Sequence, residues 1–198
     1  MSAPRIDSAP RIDNFTALAA QLRELADDVE KKGGEQIVRW GRFKHLMIRL
    51  LDDGERLYEA EVIKRAKKMP PHEALAYLDG SIRTAELKDV YRVISRKFLL
   101  QVAHCLGLDP DDYDIRFNPG GIAVAGDASL RSNRVYIFFS LDGRDYINAR
   151  RCRARDMREE HKLGRDGENR LFNISDLNAH NGFEAFVDFV RGVMKEEL

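Results

Sequence analysis

The spacing of the apolar residues changes near Pro110, and this change limits the possible folds more than any other feature of the sequence. Before Pro110, apolar residues recur every three or four positions, which is the period of an amphipathic α-helix. After it, apolar and polar residues alternate, as in residues 113–117, which is the period of a half-buried β-strand. Helices first and strands second favour an α+β fold over an alternating α/β fold.

Five amphipathic helices are predicted before Pro110. Their apolar spacing places them at residues 15–29, 35–51, 55–68, 72–78 and 84–106. The turn residues Asp52-Asp53-Gly54 separate the second helix from the third, and Gly107 is well placed to cap the fifth. The buried side of the fifth helix is predicted from its apolar stripe, which consists of Leu87, Tyr91, Ile94, Phe98, Val102 and Cys105.

The second half of the chain predicts a small antiparallel meander. Strands are expected at residues 113–117, 122–125, 134–140, 146–150 and 171–174. Turn signals stand at residues 118–121 and at Asp142-Gly143. A last amphipathic helix at 183–196 is expected to cover one face of this sheet, because a small sheet needs its apolar face buried.

The length of 198 residues fits one large domain or two small ones. Residues 2–7 read SAPRID and residues 8–13 repeat those letters, so residues 1–13 are interpreted as a duplicated tail or, alternatively, a docking segment. Two copies are too few for a repeat fold. We assign residues 14–109 to a helical region and 110–198 to a sheet with its C-terminal helix, unless both form one continuous domain.

The small number of cysteines and the absence of a long apolar run favour a cytoplasmic location. Cys105 and Cys152 are the chain's two cysteines, too few for a disulfide framework, and Cys105 is interpreted as a small core residue. No apolar run approaches the roughly 18 residues that cross a bilayer, and the first residues do not resemble a secretory signal. The expectation is a cytoplasmic protein that does not enter a membrane, of undetermined oligomeric state.

The net charge of zero conceals separate charged blocks. The chain has 33 Lys and Arg against 33 Asp and Glu, which excludes a uniformly cationic nucleic-acid wrapper. Residues 31–49 nevertheless hold six basic residues and one acidic, and residues 150–158 hold five arginines and one acidic residue. Acidic blocks stand at residues 24–30 and 109–114. Local positive surfaces therefore remain open to a partner.

Two groups of arginines are predicted to contact nucleic acid or an acidic protein surface. Guanidinium forks bind phosphate and carboxylate bidentately, which makes arginine the suitable residue for either partner. The alternative is that both groups are solvated or pair with acidic residues of this chain. The first group lies along one face of the second predicted helix and the second follows a predicted strand: Arg39, Arg42 and Arg49, then Arg150, Arg151, Arg153 and Arg155.

Motifs for catalysis are missing from the sequence. There is no Walker loop, no G-x-G-x-x-G and no G-x-S-x-G, and the five histidines are not spaced as metal ligands. We therefore predict no catalytic residue, metal or cofactor. Glu160 and Lys162 do match the carboxylate and lysine spacing of metal-dependent nucleases, although their segment is more typical of a helix or loop than of a strand.

Three hypotheses about function follow. The leading one is a non-enzymatic binding module that contacts nucleic acid or a nucleoprotein complex through the arginine groups. The second is a protein-interaction module, such as an adaptor or an inhibitor of a nucleic-acid enzyme, because acidic and basic blocks are segregated along the chain. The third is a metal-dependent nuclease that uses Glu160 and Lys162.

Overall fold

The computed structural model describes residues 12–32, 40–78, 84–120, 126–141, 146–152 and 169–195, with the backbone alone at residues 32 and 40–43. The chain divides into two compact units, residues 1–61 and 62–198. Among the described residues, no helix combines the length and the hydropathy needed to span a membrane. The described helices are α1 (Phe15–Lys32), α2 (Trp40–Ala66), α3 (Pro71–Tyr77), α4 (Ala85–Cys105) and α5 (Gly182–Lys195).

Five strands form one antiparallel sheet in which every strand pairs with its neighbours in the sequence. The predicted α+β class is confirmed, with helices first, an antiparallel meander second and a last helix packed on the sheet. The strands are β1 (Tyr113–Asn118), β2 (Asp127–Ser132), β3 (Val135–Ser140), β4 (Tyr146–Arg151) and β5 (Arg170–Asn173).

The first unit is built on the pairing of α1 with α2. Its core consists of Ile12, Leu50 and Leu57, against which Leu18 and other partly buried residues of α1 pack. Arg56 donates a hydrogen bond to the backbone carbonyl of Ile12, which ties the residues before α1 to α2. Ile12 contacts Arg56, and six residues later Leu18 lies next to Gly54. The neighbours on α2 therefore have lower numbers as the chain advances into α1, so the two helices run in opposite directions.

The helix α2 runs through residues 52–54 without interruption, so the predicted break between two helices at Asp52-Asp53-Gly54 is wrong. A glycine inside a helix costs about 1 kcal/mol relative to alanine. Burial of a large apolar side chain gains about 1.5–3 kcal/mol, and one continuous helix keeps Leu50 and Leu57 on the same buried face. The gain from packing therefore exceeds the local cost of Gly54.

The helix α4 is capped at both ends in the second unit. The Thr84 hydroxyl oxygen accepts a hydrogen bond from the Leu87 N–H at 3.3 Å, and this satisfies one of the free donors of the first turn. At the other end, Gly107 has a φ of 65°, and its N–H donates to the His104 carbonyl at 3.0 Å. The Leu108 N–H donates to the Ala103 carbonyl, which completes a Schellman motif. The predicted glycine cap is confirmed.

One face of the sheet packs against α4 and α5. Phe98 of α4 lies at the centre of this core, with its ring 5.9 Å from that of Phe139 and 5.4 Å from that of Phe186 of α5. The Tyr91 hydroxyl donates to the backbone carbonyl of Phe139 at 3.4 Å, so the polar end of this buried tyrosine has a partner. The buried apolar residues of the five strands alternate along β2, β3 and β4: Ala128, Leu130, Val135, Ile137, Phe139, Ile147 and Ala149.

Two further predictions differ from the structure. The strand β2 was not predicted. Its sequence, DASLRS, combines small and polar residues of low strand propensity with a single large apolar side chain, Leu130. Cys105 is exposed, so its assignment to the core is wrong. The core closes at this end of α4 with Leu106 and Leu108 instead. The predicted strand at 122–125, the turn at Asp142-Gly143 and the SAPRID repeat up to residue 11 lie outside the described residues.

Candidate functional site

The structure describes the side chains of three of the seven predicted binding arginines. Arg49 lies half-buried on α2 in the first unit, and Arg150 and Arg151 lie half-buried on β4 in the second. Only the backbone of Arg42 is described, within α2. Three of the seven lie outside the described residues, as do Glu160 and Lys162 of the nuclease hypothesis: Arg39, Arg153 and Arg155.

Strand geometry separates Arg150 from Arg151, although they are adjacent in sequence. Successive side chains of a strand point to opposite faces of the sheet. Arg151 follows Ala149 and Ile147 on the face that packs against α4 and α5. Arg150 points to the other face, which we call the open face. Of the predicted arginine run, Arg150 therefore lies on the open face and Arg151 on the face that packs against α4 and α5.

The open face carries aromatic and polar side chains from four strands. Alternation along each strand, together with the antiparallel register, determines which residues share it. They are Asp114, Arg116 and Asn118 of β1, Asp127, Ser129 and Arg131 of β2, Tyr136, Phe138 and Ser140 of β3, and Tyr146, Asn148 and Arg150 of β4.

Two aromatic rings lie side by side at the centre of the open face. Tyr136 and Phe138 are two residues apart on β3, so both point the same way. Their ring centroids are 6.3 Å apart, and the ring planes are inclined by only 17°. The central strand therefore carries two nearly parallel, half-buried rings on a face that is otherwise polar and charged.

Two arginines flank the Tyr136 ring. The strand register places Arg131 of β2 and Arg150 of β4 directly opposite Tyr136, one on each side. Their guanidinium carbons lie 5.6 Å and 4.8 Å from the centre of its ring. Both distances fall within the roughly 6 Å range of cation–π attraction. The result is a row of cation, aromatic ring and cation across three neighbouring strands.

Charges at the β1 edge of the open face pair with each other. The Arg116 Nε donates to an Asp114 carboxylate oxygen at 2.6 Å. The next row contains Ser129, Phe138 and Asn148 in register, which adds a hydroxyl and an amide beside the second aromatic ring. The positive charge at the centre of the open face thus comes from Arg131 and Arg150.

Burial changes the ionisation of two residues on this face. It raises the pKa of Asp127 above its ordinary value of 3.8, although a hydrogen bond from Asn118 and the charge of Arg131 partly oppose the effect. It also raises the pKa of Tyr136 above its ordinary value of 10.0, against the nearby charges of Arg131 and Arg150. The Tyr136 phenol therefore stays neutral at physiological pH.

The open face combines aromatic rings with guanidinium groups. Aromatic rings stack on flat π-systems, and guanidinium groups bind phosphate or stack on bases themselves. Among the described residues, no group of three or more His, Cys, Asp or Glu side chains is placed to hold a metal ion. No protein-family model matches this chain, and no curated protein or solved structure matches it either.

Of the residues in this row, only Arg150 was predicted from the sequence. The signal was present in the alternation of the VYIFF segment, which places Tyr136 and Phe138 on one side of a strand. The predicted two-residue turn at Asp142-Gly143 would have paired Arg150 with Val135, on the opposite face. The register that pairs Arg150 with Tyr136 is therefore known only from the structure. Arg131 carried no such signal, because the strand that positions it was not recognised.

Proposed function

We propose that the protein is a binding module that holds single-stranded nucleic acid on the open face of its sheet. The observation that carries this proposal is the Tyr136 ring between Arg131 and Arg150, with the Phe138 ring nearly parallel beside it. Aromatic rings on a sheet supply stacking surfaces, and arginines supply phosphate contacts. Of the predicted arginine groups, Arg150 remains part of the proposed site, which is centred on β3.

Single strands fit this surface better than duplexes. Every base has a π-face, and stacking on an aromatic side chain contributes about 1–3 kcal/mol per base regardless of sequence. Bases inside a duplex are stacked on each other and cannot lie on a protein ring without being unpaired. Tyr136 and Phe138 are half-buried, so an unpaired strand could place successive bases on the part of the rings that remains accessible.

The polar residues of the open face add contacts beyond stacking. Asn148 stands beside Phe138 on β4 and is half-buried, and its amide group can both donate and accept hydrogen bonds. Such groups read the edges of bases that are held flat on a ring. Arg131 and Arg150 supply the charge that attracts the phosphate backbone.

A protein partner is the second candidate. Tyr146 on the open face and Leu171 on the neighbouring strand β5 are 45% and 55% exposed. The register between β4 and β5 pairs Leu171 with Asn148, so this apolar residue extends the same face. An exposed aromatic and a leucine next to arginines are typical of protein-binding surfaces.

The test is a binding titration of the full chain with labelled single-stranded RNA and DNA, each compared with its duplex. We expect binding at about 50 mM salt that weakens steeply by about 200 mM, and a preference for single strands. The variant Arg150→Gln should weaken binding. The matched control Arg92→Gln, an exposed arginine of α4 that pairs with Asp89, should not. No binding to any nucleic acid at about 50 mM salt overturns the proposal and leaves the protein partner.

A further inference from the structure

A second surface, on the first unit, remains apolar and exposed. Phe15, Leu22 and Val29 of α1 are 51%, 43% and 52% exposed. They are seven residues apart, and Ala19 and Ala26 lie between them at spacings of four and three. This is the heptad spacing of a helix that packs lengthwise against another helix. We call these five residues the outer seam, because Leu18 and Leu25 already face the core.

The helix α2 continues this apolar surface. Leu51 and Tyr58 are exposed, and each directly follows a core residue, Leu50 or Leu57. Viewed from one end, the two helices of an antiparallel pair turn in opposite senses. In each helix, the residue that follows a contacting residue therefore points to the same side of the pair. The outer seam of α1 and these two residues of α2 therefore share one face of the pair.

The core of this pair is small in the described residues. Ile12, Leu50 and Leu57 form its buried cluster, while more large apolar side chains than these lie exposed on the shared face. An exposed apolar face of this size marks an interaction site in soluble proteins. Two helix pairs that meet face to face would form a four-helix bundle, an arrangement that buries such faces.

We propose that this face binds a second copy of the same chain, with the two α1 helices antiparallel and Leu22 on the two-fold axis. Phe15 and Val29 are each seven residues from Leu22, so the axis brings Phe15 of one copy against Val29 of the other. The seam is thus complementary to itself about its own midpoint, as an isologous interface requires. Ala19 and Ala26 leave room for a close approach of the two helices.

The distribution of charge along α1 selects the antiparallel arrangement. The first half of the helix, residues 15–22, contains no charged residue, whereas residues 24–30 contain four acids and no base. A parallel pair would place acids beside acids. The antiparallel pair places the acids of one α1 beside the uncharged half of the other α1, near the positive N-terminal end of its helix dipole. Asp13 of one copy then lies level with Lys31 of the other.

The first experiment measures the mass of the full chain in solution by light scattering or sedimentation equilibrium. We expect twice the chain mass of 22.7 kDa. Leu22→Lys should give the monomer mass, because it places two positive charges at the axis. The control Ala20→Lys adds the same charge on the other side of the helix, where Ala20 is exposed, and should leave the dimer intact. A monomer at every concentration overturns the proposal.

Cysteine cross-linking tests the geometry, in a background with Cys105→Ser and Cys152→Ser. Leu22→Cys should form a disulfide-linked dimer on mild oxidation, since a residue on the axis meets its own copy. A mixture of Phe15→Cys and Val29→Cys chains should cross-link in pairs of unlike chains, whereas Phe15→Cys alone should not. Linkage of Phe15→Cys to itself would show a parallel pair and contradict the proposal. Circular dichroism of each variant checks that the helices remain.

Discussion

The guanidinium carbon of Arg150 lies 4.8 Å from the centre of the Tyr136 ring, across the pairing of β3 with β4. Arg131 approaches the same ring from β2. Guanidinium planes stack on bases as aromatic rings do, so the three side chains form one stacking surface that also carries positive charge. The proposed single-strand site would therefore combine stacking and phosphate attraction in one row of the sheet.

Replacement of Tyr136 separates stacking from the other contributions. Tyr136→Ala should weaken binding of single-stranded nucleic acid roughly 5- to 150-fold, because one stacked base contributes about 1–3 kcal/mol. Tyr136→Phe keeps the ring and should keep most of the affinity. Fluorescence anisotropy with one labelled oligonucleotide measures all three proteins. If Tyr136→Phe loses as much affinity as Tyr136→Ala, the hydroxyl rather than the ring makes the contact, and stacking is refuted.

The arginines that flank Tyr136 should determine the salt dependence. For each phosphate contact that is lost, the slope of log K against log salt should fall in magnitude by about 0.7 for a single strand. We therefore expect Arg131→Gln and Arg150→Gln each to flatten the slope by about that amount. Binding measured at several salt concentrations gives the slope directly. A loss of affinity with the slope unchanged would mean that these arginines only hold Tyr136 in place.

The raised pKa of Asp127 predicts a dependence of stability on pH. The folded protein binds this proton more tightly than the unfolded chain does, so ionisation of Asp127 opposes folding. The opposition is absent below the unfolded pKa of 3.8 and develops fully once the pH exceeds the raised pKa. Asp127→Asn removes it, so the variant should gain unfolding free energy relative to the native chain at pH 7 but not at about pH 3.

Urea unfolding at the two pH values measures this difference. The same substitution removes a negative charge beside Arg131, so Asp127→Asn should also bind nucleic acid more tightly at neutral pH. A stability difference that is equal at both pH values would show that the carboxyl of Asp127 is not perturbed by burial.

Features encoded locally were predictable from the sequence. The apolar stripe of α4 and its glycine cap at Gly107 depend on residues within a few positions of each other, and both are confirmed. The same is true of β3, whose continuous run of β-branched and aromatic residues predicts a strand by itself. The break expected at residues 52–54 failed because local turn propensity was outweighed by the packing of α2 against α1, which lies distant in sequence.

The site was only partly predictable for the same physical reason. Arg150 was predicted from the arginine run that follows a predicted strand, whereas Arg131 and Tyr136 lie beside it only through the register of β2, β3 and β4. Register depends on pairing between strands that the spacing of a single strand does not reveal. The weak strand propensity of β2 concealed the position of Arg131.

The two glycines of α5 should respond oppositely to alanine. A Cβ on Gly182 would stand closer to the backbone oxygens of Asp176 and Leu177 than real Cβ atoms do, so the chain before α5 would have to shift. Gly182→Ala should lower the unfolding free energy by about 1–3 kcal/mol. A Cβ on Gly192 meets nothing within 4 Å, so Gly192→Ala should raise it by up to about 1 kcal/mol. Urea unfolding measures the stability of both variants. A lower unfolding free energy for Gly192→Ala, or a higher one for Gly182→Ala, would contradict the packing of α5.

Gly54 offers a stabilising substitution in the first unit. A Cβ there would lie 3.5 Å from the Leu18 side chain, an ordinary van der Waals distance, and the residue is inside a continuous helix. Gly54→Ala should therefore raise the unfolding free energy by up to about 1 kcal/mol through helix propensity, with α1 kept in place. Gly54→Leu is the matched control, since its longer side chain must displace Leu18 and should destabilise the pair. Thermal unfolding followed by circular dichroism ranks the three proteins. If Gly54→Ala proves less stable than the native chain, α2 bends at residues 52–54 and the turn indicated by the sequence exists after all.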